Sequence, residues 1–206
     1  PNGAEDQVWV VVKRTINGVT KRYVEYEAEP FGADVAIEDA VFVDCGLQYD
    51  GAPVGSFSGL GHLEGKSVAI LGDGAVIPNQ TVTAGAITLP GSITVSKAVV
   101  GLPYTSTLTT LPGIFGSQDG TAQGKSKSWG KIKARFYRTV DALINGQVVK
   151  WRTTSDTTGA AKQPFTGTKE IQNLGWDDEA RVTIEQDKPL PSTVLAIFGI
   201  QLVEDQ

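Results

Sequence analysis

Residues 59–77 read GLGHLEGKSVAILGDGAVI, and the choice between two readings of them decides the fold. The first part, GLGHLEGKS, ends like a phosphate-binding loop. In such a loop Gly, four residues and Gly-Lys-Ser/Thr let backbone N–H groups wrap phosphates. Counting back from Gly65 puts the first required glycine where Leu60 stands, and Gly59 and Gly61 each miss by one position. A phosphate loop must also open a helix, whose free N–H groups and dipole hold the anion. Here Lys66-Ser67 runs into Val68-Ala69-Ile70-Leu71, then Asp73-Gly74, then Ala75-Val76-Ile77. Asp-Gly between two apolar runs signals a tight hairpin turn, because both residues accept positive φ. The stretch predicts strand, turn, strand, and no nucleotide site.

The same punctuation recurs outward along the chain at Asn17-Gly18, Asp50-Gly51, Asp119-Gly120 and Asn145-Gly146. Around Asn17-Gly18 the runs VWVVVKRTI (8–16) and VTKRYVEYE (19–27) are rich in valine, tyrosine and threonine, a specific hairpin signal. Further strands are predicted over 40–43, 67–71, 81–83, 86–89 and 93–100. After a loop they resume over 131–140, 147–153, 169–174, 180–185 and 194–203. Helical periodicity is confined to GADVAIEDA (32–40), enough for a turn or two. Strands separated by turn signals predict an all-β fold of antiparallel, sandwich- or barrel-like sheets rich in hairpins. The strands are interrupted over 28–40 and again over 103–130. These breaks predict a discontinuous main β domain, 1–40 with 105–206, and a small inserted β module over 41–104.

Of the 206 residues 20% are charged and 40% hydrophobic, an ordinary globular balance. No run of about 18 apolar residues exists to span a bilayer as a helix, so no membrane anchor is expected. No secretory signal pattern is present either. The chain has no methionine and opens on PNGAEDQ, which reads as part of a longer polypeptide. Its one cysteine, Cys45, lies in the apolar run AVFVDCGL and is expected to be a small buried hydrophobe. The single histidine, His62, excludes a two-histidine metal site and weakens any Ser-His-Asp arrangement.

Net charge is −5, unevenly spread. Residues 121–155 hold eight basic side chains against Asp141 alone, for +7, and the rest of the chain carries −12. Within the run GKSKSWGKIKARFYR (124–138), strand alternation puts Lys131, Lys133, Arg135 and Tyr137 on one face. Ile132, Ala134, Phe136 and Arg138 fall on the other. Three readings fit: a solvated outer face, a contact with an acidic neighbouring subunit, or a nucleic-acid surface of interleaved cations and aromatics. Lys125, Lys127, Lys131, Lys133 and Arg135 are the candidate contact residues. Asp177-Asp178-Glu179 brings three carboxylates together, but neighbours on a strand point in alternating directions, and a glycosidase needs two that face each other. The cluster reads as a solvated turn. His62 and Glu64 read as a surface hydrogen-bonding pair. No grouping has metal-ligand spacing, so no metal or cofactor is expected.

Several phrases, in order, resemble one family: RTINGVTKRYVEY, DCGLQYDGAP, SGLGHLEGKSVAILGDGAV, GAITLP, VGLPYTSTLTTLP, FTGTKE and GWDDEARVTIEQDKPLPSTVLAI. They resemble the C-terminal part of tail nozzle proteins, the tail tubular protein B type, of short-tailed bacteriophages and prophages. The resemblance covers nearly the whole chain and rests on the order of many phrases. It implies a structural, non-enzymatic virion protein, assembled in the host cytoplasm and located in the phage tail. Such subunits form a homo-oligomeric ring, six in the usual case, below the portal and adaptor and beside other tail proteins. DNA passes through the channel without sequence-specific binding. The resemblance brings no catalytic residues and no cofactor. An overall acidic chain suits a tube that must not grip DNA, and leaves the cationic strand to meet an acidic neighbour. The rival reading is a carbohydrate-binding tail-tip module using Trp129, Trp151 and Trp176. An enzyme rival, a glycan hydrolase using Asp177 or Glu179, has less to recommend it.

Overall fold

The structure, a computed structural model, describes residues 7–113, 116–117, 120–121, 123–154, 156–157, 160–172 and 175–204. Among them regular structure is almost entirely strand, with three single turns of 3₁₀ helix. The fold is all-β, and its sheets are antiparallel. The chain divides into two compact units, 1–104 and 105–206.

In the first unit β1 (Trp9–Ile16) and β2 (Val19–Tyr26) pair from Trp9–Tyr26 to Ile16–Val19. They close on Asn17 (φ 48°) and Gly18 (φ 74°). Then follow β3 (Asp44–Val54), β4 (Ser56–Phe57), β5 (Ser67–Gly72), β6 (Ala75–Thr81), β7 (Ile87–Thr88) and β8 (Val95–Leu102). A four-stranded sheet runs in the order β3-β8-β5-β6, and β4 pairs with β7. The opening stretch is the β5–β6 hairpin, turned on Asp73 (φ 45°) and Gly74 (φ 75°). Leu60, Leu63, Val68, Ile70 and Val82 build the core beneath it. The segment 32–40 supplies one 3₁₀ turn, Ile37–Asp39, with Ile37 and Ala40 buried.

Residues 1–40, expected to join 105–206, belong instead with 41–104. The reason is local to β1: Ile16 is buried in this unit's core, and Tyr23 packs against it. The Arg14 guanidinium forks between Glu25 of β2 (2.7 Å) and Asp44 of β3 (2.5 Å). Two further expectations differ. Residues 40–43 are not strand, and Asp50-Gly51 lies inside β3, where a register irregularity between Asp50 and Val54 absorbs the turn signal as a bulge.

The second unit holds β9 (Ser106–Thr109), β10 (Gly116–Ser117), β11 (Gly120–Thr121), β12 (Lys127–Thr139), β13 (Leu143–Ile144) and β14 (Gln147–Val148). It continues with β15 (Phe165–Gln172), β16 (Trp176–Asp177), β17 (Thr183–Gln186) and β18 (Val194–Val203). β12 is the spine, pairing with β15, β16 and β18, while a second sheet runs β14-β13-β17-β9. Ile132, Ala134 and Phe136 of β12 meet Ile144, Val182 and Ile184 in the core. Trp151 sits among them, donating from Nε1 to the Ala142 carbonyl at 3.1 Å and meeting Phe136 edge to face. That role ends the strand predicted over 147–153 at Val148, because Val149 and Trp151 turn into the core. β9 was hidden in a segment read as loop. Asp119 and residues 173–174 lie outside the described residues.

Candidate assembly surface

Alternation along β12 separates its cations from its core residues. Ile132, Ala134 and Phe136 are fully buried, and Lys131, Lys133 and Arg135 emerge on the opposite face. Directly opposite residues of antiparallel strands share a face. Lys131 therefore stands between Gln172 and Ile200, Lys133 between Glu170 and Phe198, and Arg135 between Thr168 and Ala196. A cationic column is flanked by an apolar column on β18, where Phe198, Ile200 and Leu202 are all exposed.

The five candidate cations are not equivalent. Glu170 bridges Lys131 (3.2 Å) and Lys133 (3.5 Å). A hydrogen bond from Gln172 first, then the two ammonium groups, holds its carboxyl below the ordinary range. Arg135 is exposed and takes part in no ion pair among the described residues. Lys125 is half-buried in the bend before β12. Lys127 contradicts the expectation of an outward contact: it is buried, and its Nζ donates to the Asp178 carbonyl at 2.6 Å. Its position between Asp177 of β16 and Val203 of β18 closes the site from both sides. Arg138 also departs from simple alternation. It takes φ 44° at a register shift between Phe136 and Thr139. Thr139 consequently takes the next inward position, accepting from the Thr193 N–H at 2.9 Å.

The look-alike phosphate loop uses its N–H groups internally. Leu60 donates to Gly85, Leu63 to Leu60, Gly65 to Val82 and Lys66 to Leu63. The left-handed pair Ala84 (φ 52°) and Gly85 (φ 70°) does aim two N–H groups at an anion. That anion is the chain's own Glu64 carboxylate, at 3.0 and 2.7 Å. His62 lies 6.4 Å from the Tyr23 ring, edge to face, so Glu64 has backbone partners where a His62 pairing was expected. In the acidic turn Asp177 accepts from the Ala180 N–H and Glu179 pairs with Arg181. Its three carboxylates are exposed, as expected of a solvated turn. Cys45 is only partly buried, at φ 52°. Burial, with help from Glu25, pushes its thiol up to about 11.

Of the tryptophans expected to offer a stacking surface, Trp151 is core, and Trp129 donates from its indole to the Ala180 carbonyl at 2.6 Å. Trp176 is exposed. A second exposed apolar set, not anticipated from the sequence, lies on β1 and β2. There Trp9 opposes Tyr26, with ring centroids 5.4 Å apart, and Val11 opposes Val24. The signal was present as the unbroken apolar run Val8–Val12 within a recognised strand, but nothing local says that neither face of its outer end is covered. No protein-family model matches the chain, and no curated protein matches it.

Proposed function

We propose that this chain is a structural subunit of a bacteriophage tail nozzle that works by assembly, with no chemistry of its own. The observation that carries the reading is the mixed face of the β15-β12-β18 sheet, cationic along β12 and apolar along β18. Contiguous exposed apolar area beside charge is the composition of a protein–protein contact. The ordered resemblance of phrases along the chain supplies the kind of assembly. In this reading the ring surrounds the DNA channel, touches portal, adaptor and other tail proteins, and resides in the virion. Charge complementarity favours an acidic neighbour for β12. Residues 27–50 hold seven carboxylates and no basic residue.

Arg135 is the decisive cation, since Lys131 and Lys133 already share Glu170. Arg135→Glu is expected to lower the yield of assembled tails while leaving the isolated chain folded. Mass spectrometry of purified particles, with the same chain detected by antibody on tails, tests the reading directly. Its absence from particles would overturn the assignment.

A further inference from the structure

A β-sheet edge is a row of unpaired N–H and C=O groups, and folded proteins guard such edges with charges, proline, bulges or short length. Among the described residues most edges of this chain are guarded. β3 carries Pro53 and two register irregularities, β6 carries Pro78, and β15 carries Lys169 and Glu170 beside Gly167. β9 and β14 are short, and β2 carries Lys21 and Arg22. Two edges are bare. β18, VLAIFGIQLV, runs ten residues with no charge and no proline, and among the described residues pairs only with β12. Among the described residues β1 pairs only with β2; its charges, Lys13 and Arg14, lie toward the turn, and its outer half, Val8–Val12, is likewise uncharged. Successive residues of a strand point to opposite faces, and Val8, Trp9, Val10 and Val11 are all exposed. This end of β1 is bare on both faces as well as along one edge.

We propose that β1 of one copy adds as a strand to the free edge of β18 in a second copy. The inference rests on the reading of the chain as an assembling subunit and names the contact. A second copy is the occupant because the two bare edges lie on one chain, in different units, and each lacks a strand. Two different surfaces joined head to tail give a closed ring or an open filament. Five residues of added ladder bury little surface, far below a standard interface of about 1,600 Å², so association is concentration-dependent.

The ladder itself supplies a clean variant. The Glu27 N–H donates to the Val8 carbonyl at 3.0 Å, so in the alternating antiparallel pattern Val8, Val10 and Val12 face β2. Trp9 and Val11 then present their backbone groups to the outer edge. Val11→Pro removes an outward N–H without breaking the hairpin, whereas Phe198→Lys with Ile200→Lys guards the other edge. Sedimentation of the 206-residue chain is expected to show a concentration-dependent series of oligomers. Each variant alone is expected to lose every species above monomer, and an equimolar mixture to recover a dimer and nothing larger. Hydrogen exchange on the wild-type chain, which needs no variant to fold, is expected to slow in β1 and β18 with rising concentration, but not in β6 or β15. Association of Val11→Pro alone, no dimer on mixing, or a wild-type chain that stays monomeric at every concentration would each overturn strand addition. Absence of the chain from particles would sink the tail assignment and leave the mixing result standing.

Discussion

At Gly199, in the middle of β18, an added Cβ would meet the Lys131 carbonyl oxygen and crowd Ile132 of β12. Both are backbone atoms and neither can swing aside. Gly199→Ala is expected to force the strands apart at a cost of about 1–3 kcal/mol, read as a lower urea midpoint at unchanged slope. A midpoint equal to wild type would contradict the close approach. Cys45 makes a prediction of the opposite kind. With its thiol at about 11 against an ordinary 9.0, the native chain holds roughly a hundredfold less thiolate near pH 8 than an unfolded one. Alkylation is therefore expected to be slow in buffer, to rise only above about pH 10, and to reach the ordinary rate in denaturant. Since the folded state favours the neutral thiol, its contribution to stability is complete below the ordinary thiol range. It is lost as pH climbs through the folded value.

At the scale of elements, turn chemistry was legible wherever the turn residues alone decide the path. Asn17-Gly18, Asp73-Gly74 and Asn145-Gly146 all take positive φ at hairpin tips. Asp50-Gly51 carries the same signal and lies within a strand, because β8 alongside holds both flanks of β3 in register, from Leu47–Val100 to Val54–Val95. Alternation likewise placed Ile132, Ala134 and Phe136 inward, and failed at Arg138, where a bulge resets the phase. The apolar column of β18 was illegible for a different reason: VLAIFGIQLV is apolar on both faces, so its pattern does not say which face the core takes. The β1–β2 hairpin depends on Arg14, whose pairs with Glu25 and Asp44 tie it to β3. Arg14→Ala is expected to loosen the hairpin by about 1–3 kcal/mol. Exchange protection should fall in β1 and β2 while β5 and β8 keep theirs; a uniform loss would show that the tie is not local.

For the whole molecule, the division at residues 104 and 105 makes a measurable claim. Trp9 is the one tryptophan of the first unit, and the buried Trp151 reports the second. Trp151→Ala is expected to destabilise the second unit by about 3–5 kcal/mol. Protection of Cys45 against alkylation, a reporter of the first unit, should stay unchanged. Parallel loss of both would make the two units one cooperative body. The all-β class, the hairpins at Asn17-Gly18, Asp73-Gly74 and Asn145-Gly146, and the cationic face of β12 were determined by the sequence alone, because turn propensity and two-residue alternation act between near neighbours. Tertiary structure alone decided that β1 belongs with β3, that Lys127 is closed in while Arg135 stays out, and which edges remain bare. Each of those depends on which distant segment supplies the adjoining strand, and pairing partners leave no mark in the residues of either strand taken by itself.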